Sequence, residues 1–413
     1  MFSLDHLGTF DLDNYGDLLY PILLDRILER KTDTKITCRY SLVGGDAPLR
    51  AGFRSYPFQG WLTEAQTTPH RIVIGGGDLL RSDCDVIAAH YRASYGQDFK
   101  TARQSIGTTE AVGHLLRKYL PRQNCDAFYI QCFKRKRLNY CTFAPFIIDV
   151  NNLSGGSSVS YLSCGVPDGF LPEQQAEVVA LLGRAQSIYL RDEQSAEKLR
   201  RAGLMRDVYV APDLAVTLSE HFDFAKEKQK GRRILSQMGV NIDRPLVCFQ
   251  SKPFPGFRAE EIADQLNRYR ARTKSEVVLL PLGYCLGDHT FLRKVAGQSS
   301  GTLTYANVDS IFAMISIIAA SDVFVGTSLH GNITAFSFGI PHLFGPLPVD
   351  KIPGFLLAVD LPMELQLMSW SELGDKIAMV NAMDRSIFSD RAQRAQAQVN
   401  RVVRAMIEDL SAC

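Results

Sequence analysis

The clearest chemical feature of the sequence is a histidine set among small residues where a strand gives way to a helix. Gly326-Thr327-Ser328-Leu329-His330-Gly331 follows the strand-like Val323-Phe324-Val325. It leads into a small-residue helix read from Asn332 to Phe338 and closed by Gly339 and Pro341. Histidine exchanges protons near neutral pH. A helix N-terminus offers unpaired N–H groups and the positive end of a dipole, which together favour an anion. A lone histidine is usually a satisfied structural group. The site after a strand, where ligands gather in open α/β folds, favours chemistry here. Two cations stand at comparable places: Lys252, just past the strand-like Leu246-Val247-Cys248-Phe249, and Lys351, downstream of Pro341. The set reads as an anion site with a general acid and no metal.

The first half of the chain carries four weaker signals. Asn14-Tyr15-Gly16-Asp17 precedes a helix and could bind an anion or a hydroxyl, or be a plain helix cap by Asp17. Gly75-Gly76-Gly77-Asp78 follows the strand-like Arg71-Ile72-Val73-Ile74; three glycines admit a ligand to the backbone or simply make a tight turn. Arg191, at a strand end, could grip a carboxylate or phosphate, or pair with Asp192 or Glu193. Asp213, after Pro212, is a turn acid at another strand tip. No G-x-G-x-x-G or G-x-x-x-x-G-K-[ST] pattern sits at a strand–helix turn, which argues against dinucleotide oxidoreductases and P-loop NTPases. No G-x-S-x-G, H-E-x-x-H or kinase catalytic loop occurs either.

The elements that must position these residues alternate. Strands read at Val159 to Cys164, Ser187 to Leu190 and Val208 to Val210 enclose a helix from Glu193 to Ala202 ended by Gly203. Strand, helix, strand at this spacing predicts βαβ units and a parallel sheet. The charged run Glu220 to Arg233 reads as a linker, after which Leu246 to Phe249, Val277 to Leu280 and Val323 to Val325 repeat the pattern, with a helix from Asp309 to Ala320. Apolar spacing from Ser389 to Leu410 predicts one face of a long helix. The expected fold is therefore α/β: an N-terminal domain over 1–235, a C-terminal domain over 236–385 and a terminal helix over 386–413.

Composition narrows the function classes. The chain has 413 residues, 46% hydrophobic and 22% charged, with 46 Lys and Arg against 44 Asp and Glu. Wholesale disorder is excluded, and the balance is too even for a surface given over to nucleic acid. Nine scattered cysteines without C-x-x-C spacing suit reduced thiols rather than a disulfide framework or a zinc site. Met1 to His6 shows no signal-peptide pattern, and the longest apolar run, Ile311 to Val325, is broken by Ser316, Ser321 and Asp322. A cytoplasmic protein is expected. Between Gly113 and Tyr140, seven basic residues face one acid, Asp126, with aromatics between them. That segment is either a solvated face or a contact for anionic headgroups or a pyrophosphate-linked substrate, at the inner face of the membrane.

Taken in order, these segments resemble the polysaccharide pyruvyl transferase family. The matching features are Asn14-Tyr15-Gly16-Asp17, the Gly75–Gly77 triplet, the R-D-x-x-S-x-x-x-L-x-x-x-G pattern of Arg191, Asp192, Ser195, Leu199 and Gly203, the Pro212-Asp213 turn, Ser328-Leu329-His330-Gly331 with its following helix and G-x-P, and Lys351. Many members carry Arg where this chain has Ser328, so Lys252, Lys351 or Arg191 must supply that charge. The resemblance implies a GT-B-like pair of Rossmann-like domains facing a cleft, the first on the acceptor side and the second on the donor side. It implies transfer of pyruvate from phosphoenolpyruvate, a co-substrate rather than a resident cofactor, to a sugar diol of a polysaccharide or lipid-linked oligosaccharide, with release of phosphate. His330 would be the general acid; Asp17 or Asp213 would be the base or hold the diol. Asn14, Gly16, Gly76, Gly77, Asp78, Arg191, Asp213, Lys252, Ser328, Leu329, Gly331 and Lys351 would contact substrate. A nucleotide-sugar glycosyltransferase of the same architecture and a non-catalytic polysaccharide-binding scaffold are the alternatives.

Overall fold

The computed structural model describes residues 3–31, 35–41, 44–80, 146–167, 170 and 172–411. The basic segment from Gly113 to Tyr140 lies outside the described residues. Two sheets organise the chain. The first runs β3-β4-β2-β1-β5-β6-β7-β8, from β1 (Ser3–Leu7), β2 (Lys35–Ser41), β3 (Gly45–Asp46), β4 (Arg54–Pro57), β5 (Arg71–Gly77), β6 (Ser158–Cys164), β7 (Ser187–Leu190) and β8 (Tyr209–Val210). Its pairings are parallel except β3 with β4. The second is wholly parallel and runs β11-β10-β9-β12-β13, from β9 (Leu246–Gln250), β10 (Glu276–Leu279), β11 (Thr304–Tyr305), β12 (Val323–Gly326) and β13 (His342–Phe344). Every residue of β6, β7, β9 and β12 is buried, as parallel strands covered on both faces are; β9 and β12 read accordingly as near-continuous apolar runs, whereas β6 buries Ser158, Ser160 and Ser163 among its apolar residues.

Helices connect and cover the sheets: α1 (Tyr15–Lys31), α2 (Phe58–Glu64), α3 (Pro172–Gly183), α4 (Glu193–Arg201), α5 (Leu218–His221), α6 (Phe224–Gln237), α7 (Ala259–Thr273), α8 (Asp288–Gly297), α9 (Ile311–Ala320), α10 (Leu329–Ser337), α11 (Lys351–Ala358), α12 (Leu373–Ala382) and α13 (Ser386–Ser411). The result is two Rossmann-like α/β domains facing a cleft, with a long C-terminal helix. That helix returns to the first domain: Gln396 Nε2 donates to Val216 O at 3.0 Å, and Tyr209 OH donates to Asp409 Oδ2 at 2.9 Å.

Three local readings change. The charged run expected as a linker is helical, in α5 and α6, so the boundary drawn at 235 falls inside a helix. α6 buries Glu227, Gly231 and Leu235 and packs on α9; a β-carbon at Gly231 would overlap the Ser316 carbonyl. The lysines and arginines lie on the outward face of an amphipathic helix. β5 continues through the glycine triplet, with Gly76 and Gly77 at φ of 102° and 87°, conformations that only glycine adopts easily. Finally, α10 begins at Leu329, not near Asn332, because Ser328 Oγ accepts from Gly331 N and caps it.

The domains share a core. α1 buries Tyr15, Leu18, Leu19 and Tyr20 in one hydrophobic cluster with second-domain residues such as Phe249, Leu282, Leu329 and Ile333. Tyr15 OH bonds Thr334 Oγ1 at 2.7 Å, and Tyr15 N donates to Leu282 O at 2.9 Å. The helix carrying His330 is thus clamped between the two domains.

Candidate active site

A cavity of about 200 Å³ lies where the carboxyl ends of the two sheets meet. Asn14, Asp17, Gly76, Gly77, Asp78, Arg191, Lys252, Ser328, Leu329, His330 and Lys351 line it, so segments scattered across more than 330 residues converge on one space. Three expected contact residues do not line it. Gly16 lies under the imidazole, where a β-carbon would overlap His330 Nδ1. Gly331 N is spent on the Ser328 cap, and Asp213 is buried behind His330.

His330 is held from behind. Tyr20 OH donates to Asp213 Oδ2 at 2.6 Å and lies 3.1 Å from His330 Nε2, which is itself 3.6 Å from Asp213 Oδ2. Because the tyrosine's one proton goes to Asp213, its oxygen can only accept from the ring, so Nε2 carries hydrogen and Nδ1 is the nitrogen left for chemistry. Burial by itself would raise the Asp213 pKa, but the hydrogen bond and charge of His330, with Arg191 and Tyr20, hold it below the usual carboxylate range. Asp213 is therefore a fixed negative charge behind the ring. Tyr20 contributes from mid-helix, 310 residues away in sequence, and nothing local in the sequence flags it.

Charge is divided unevenly around the cavity. The Arg191 guanidinium pairs with Asp78, and its Nε is 3.6 Å from Asp192 Oδ2, so the ion-pair alternative for Arg191 is present together with its place on the cavity wall. Lys351 Nζ is 3.4 Å from Asp78 Oδ2. Lys252 has no ion-pair partner among the described residues; burial first, then repulsion by Lys351, lowers its pKa. Asp17 accepts from Asn14 Nδ2 at 3.0 Å, and burial pushes its pKa up to about 6 against the opposing pull of His330, Thr9 and Asn14.

Other wall residues were not legible in the sequence. Gln250 Oε1 accepts from Ser328 N at 2.7 Å, and its Nε2 donates to Asp288 Oδ2 at 2.6 Å. Lys252 N donates to Thr327 Oγ1 at 3.1 Å, stitching the end of β9 to the turn before α10. Gly283 and Cys285 also line the cavity. Gln250 extends a visible strand and signals itself weakly; Asp288 has no local signal. Among the described residues no cluster of three or more potential metal ligands forms, and no helix is long and apolar enough to cross a membrane.

Solved structures share the architecture. The chain is similar to a UDP-GlcNAc 2-epimerase from Neisseria meningitidis bound to UDP-GlcNAc, at TM-score 0.54 and 12% identity over 100% of both chains. It is similar to the UDP-N-acetylglucosamine 2-epimerase of Rickettsia bellii, at TM-score 0.54 and 8% identity over 99% of this chain and 97% of that one. It is also similar to S. aureus MnaA in complex with UDP, at TM-score 0.52 and 12% identity over 98% and 95%. At such identities the likeness concerns the fold alone. No curated protein sequence matches the chain. The family model for polysaccharide pyruvyl transferase matches residues 14–344, a span that runs from Asn14 past His330 to the end of β13, and the chain belongs to that family.

Proposed function

We propose that the protein transfers pyruvate from phosphoenolpyruvate to two hydroxyls of a sugar, forming a cyclic ketal and releasing phosphate. The observation that carries this reading is the single cavity in which His330, fixed by Tyr20 and Asp213, shares the walls with Lys252, Lys351 and Arg191. Phosphoenolpyruvate is a small, highly charged anion, and Lys252, with no ion-pair partner among the described residues, beside Arg191 and Lys351 suits it. Lys252, Lys351 and Arg191 bring three cations to the wall in place of the arginine missing at Ser328.

Each part of the reaction has a residue to perform it. His330 protonates C3 of the enol from Nδ1, turning a CH2 into a CH3 and leaving C2 electrophilic. Asp213 stabilises the charged ring before that transfer, much as a buried acid orients a catalytic histidine elsewhere. One sugar hydroxyl adds to C2 and gives up its proton. The C2–O bond to phosphate breaks, and the second hydroxyl closes the ring. Of the two hydroxyl protons, one replaces that given to C3 and one leaves on phosphate. Asp17, with a pKa near 6, is suited to hold a hydroxyl and take its proton. The acceptor class is a glycan or a lipid-linked oligosaccharide, met at the cytoplasmic face of the membrane.

The test is phosphate release from phosphoenolpyruvate with and without a panel of glycosides and lipid-linked acceptors, with the new ketal methyl followed by NMR. Acceptor-dependent phosphate release with a methyl signal is expected. Phosphate release without ketal, or turnover of a sugar nucleotide instead, would reject the reading.

A further inference from the structure

A cyclic ketal requires two hydroxyls to lose their protons. The first domain brings Asp17 to the cavity; its other wall carboxyl, Asp78, is engaged by Arg191 and Lys351. The second domain brings Asp288, the first residue of α8, which is 1% exposed. Its Oδ2 is well supplied, accepting from Gln250 Nε2 at 2.6 Å, Gly283 N at 2.8 Å and Leu282 N at 3.2 Å. Its Oδ1 is buried and has no hydrogen-bond partner among the described residues. A β-carbon placed on Gly283 would lie 3.3 Å from that oxygen, and Gly283, Gln250 and Asp288 all line the cavity. A buried acceptor left unsatisfied is costly, and a donor entering the cavity beside it would satisfy it. Lys252, which attracts this carboxylate electrostatically, also lacks an ion-pair partner among the described residues. An acceptor oxygen on that wall suits a group that donates a hydrogen bond, as a sugar hydroxyl does.

Building on the pyruvyl-transfer reading above, we propose that Asp288 Oδ1 receives the hydrogen bond, and then the proton, of one hydroxyl of the acceptor diol, while Asp17 serves the other. In this step the hydroxyl O–H bond breaks and its proton passes to Oδ1. The freed electron pair forms the O–C2 bond once His330 has protonated C3. The proton held by Asp288 then leaves on phosphate as the C2–O(phosphate) bond breaks, restoring the carboxylate. The sugar is gripped by one carboxyl from each domain, so only the docked pair of domains presents a complete acceptor site.

Asp288→Asn keeps the side-chain shape and an oxygen for the Leu282 and Gly283 N–H groups; Asp288→Ala removes both. Steady-state kinetics with each substrate varied, calorimetric binding of phosphoenolpyruvate and a melting curve separate the outcomes. Asp288→Asn is expected to lower acceptor kcat/KM by about 10²–10⁴-fold with little change in the dissociation constant of phosphoenolpyruvate. Near-wild-type acceptor kcat/KM would overturn the proposal. So would parallel loss of phosphoenolpyruvate binding and melting temperature in both variants, since that marks a prop for the Leu282–Gly283 loop. Should the wild type transfer no pyruvate, the activity reading fails separately, and saturation-transfer NMR with methyl β-D-galactopyranoside and methyl β-D-glucopyranoside decides on Asp288. Weaker binding in Asp288→Asn upholds the acceptor contact; equal binding, or none by the wild type, overturns it.

Discussion

The two ends of the cavity are held by different forces. At the His330 end, Tyr20, Asp213 and His330 interlock through buried hydrogen bonds, and Ser337 Oγ donates to Val216 O at 2.9 Å from the same helix. At the Asp78 end, the domains meet through ion pairs with more water about them: Lys351 to Asp78 at 3.4 Å and Lys198 to Asp350 at 3.1 Å, where the Asp350 side chain is 73% exposed. Buried hydrogen bonds between packed groups fix geometry closely and lose free energy if one partner is removed. Exposed ion pairs are worth little and exchange partners readily. The site thus joins a rigid proton-transfer end to an anion-binding end where the more exposed Lys351 can trade Asp78 for substrate while the buried Arg191 stays paired.

The largest expected effect tests the rigid end. His330→Ala should lower the rate of phosphate release by about 10²–10⁴-fold while leaving the fold intact, because the ring sits at the cavity rather than deep in the core. His330→Gln, which keeps an N–H, should retain some phosphoenolpyruvate binding but not turn over. Circular dichroism and single-turnover phosphate release check both, and a near-normal rate in His330→Ala would remove the general acid from the mechanism. Gly16→Ala attacks the same end without touching a polar group. Its methyl would occupy the place of His330 Nδ1, so the ring must move. A displacement of about 1 Å is expected to cost about 100-fold in kcat, with phosphoenolpyruvate affinity changed far less. Wild-type kcat in Gly16→Ala would mean that the ring position seen here is not the working one.

The rigid end was the more legible in sequence, and only in part. Ser328 to Gly331 announced itself because a small-residue turn after a strand has few other uses. Asn14, Asp17 and the glycine triplet did so through helix-start and turn chemistry that any single chain displays locally. Tyr20, Gln250 and Asp288 did not, because their roles come from packing: Tyr20 is one aromatic among the buried residues of α1 until Asp213 and His330 arrive from elsewhere. The charged 220–233 run misleads for a similar reason. Its lysines describe a solvated face, and only contact with α9 reveals that Gly231 and Leu235 face inward.

At the exchangeable end the effects should be smaller and should split by residue. Lys351→Met removes a cation from the cavity wall and is expected to raise KM for phosphoenolpyruvate by about tenfold, roughly the free energy of one charge-assisted contact, with kcat less affected. Asp350→Asn breaks the neighbouring ion pair outside the cavity and should cost under about 1 kcal/mol of stability with KM unchanged. Chemical denaturation and initial rates distinguish the two. Equal KM effects would show that the Lys198–Asp350 pair, and not the cavity cation, governs donor binding.

The last effect is one on stability, and it sets a catalytic group against the fold. Burial lifts the Asp17 pKa from its ordinary carboxylate value to about 6, so the folded protein binds this proton more readily than the unfolded chain does. Above about pH 6 the carboxylate is charged in both states, and the folded state bears the full cost of keeping it dry. As pH falls from about 6 toward 4 the folded state takes up the proton first and that cost disappears. Asp17→Asn removes the charge while retaining an oxygen to accept from Asn14 Nδ2. It should therefore stabilise the protein by about 1–3 kcal/mol at pH 8, with the gain shrinking through pH 6 and vanishing near pH 4. Urea denaturation of both proteins across that range measures it. A gain that is flat with pH, or that grows as pH falls, would mean that Asp17 is not held as a buried, costly charge, and its assignment to the acceptor hydroxyl would lose its physical basis.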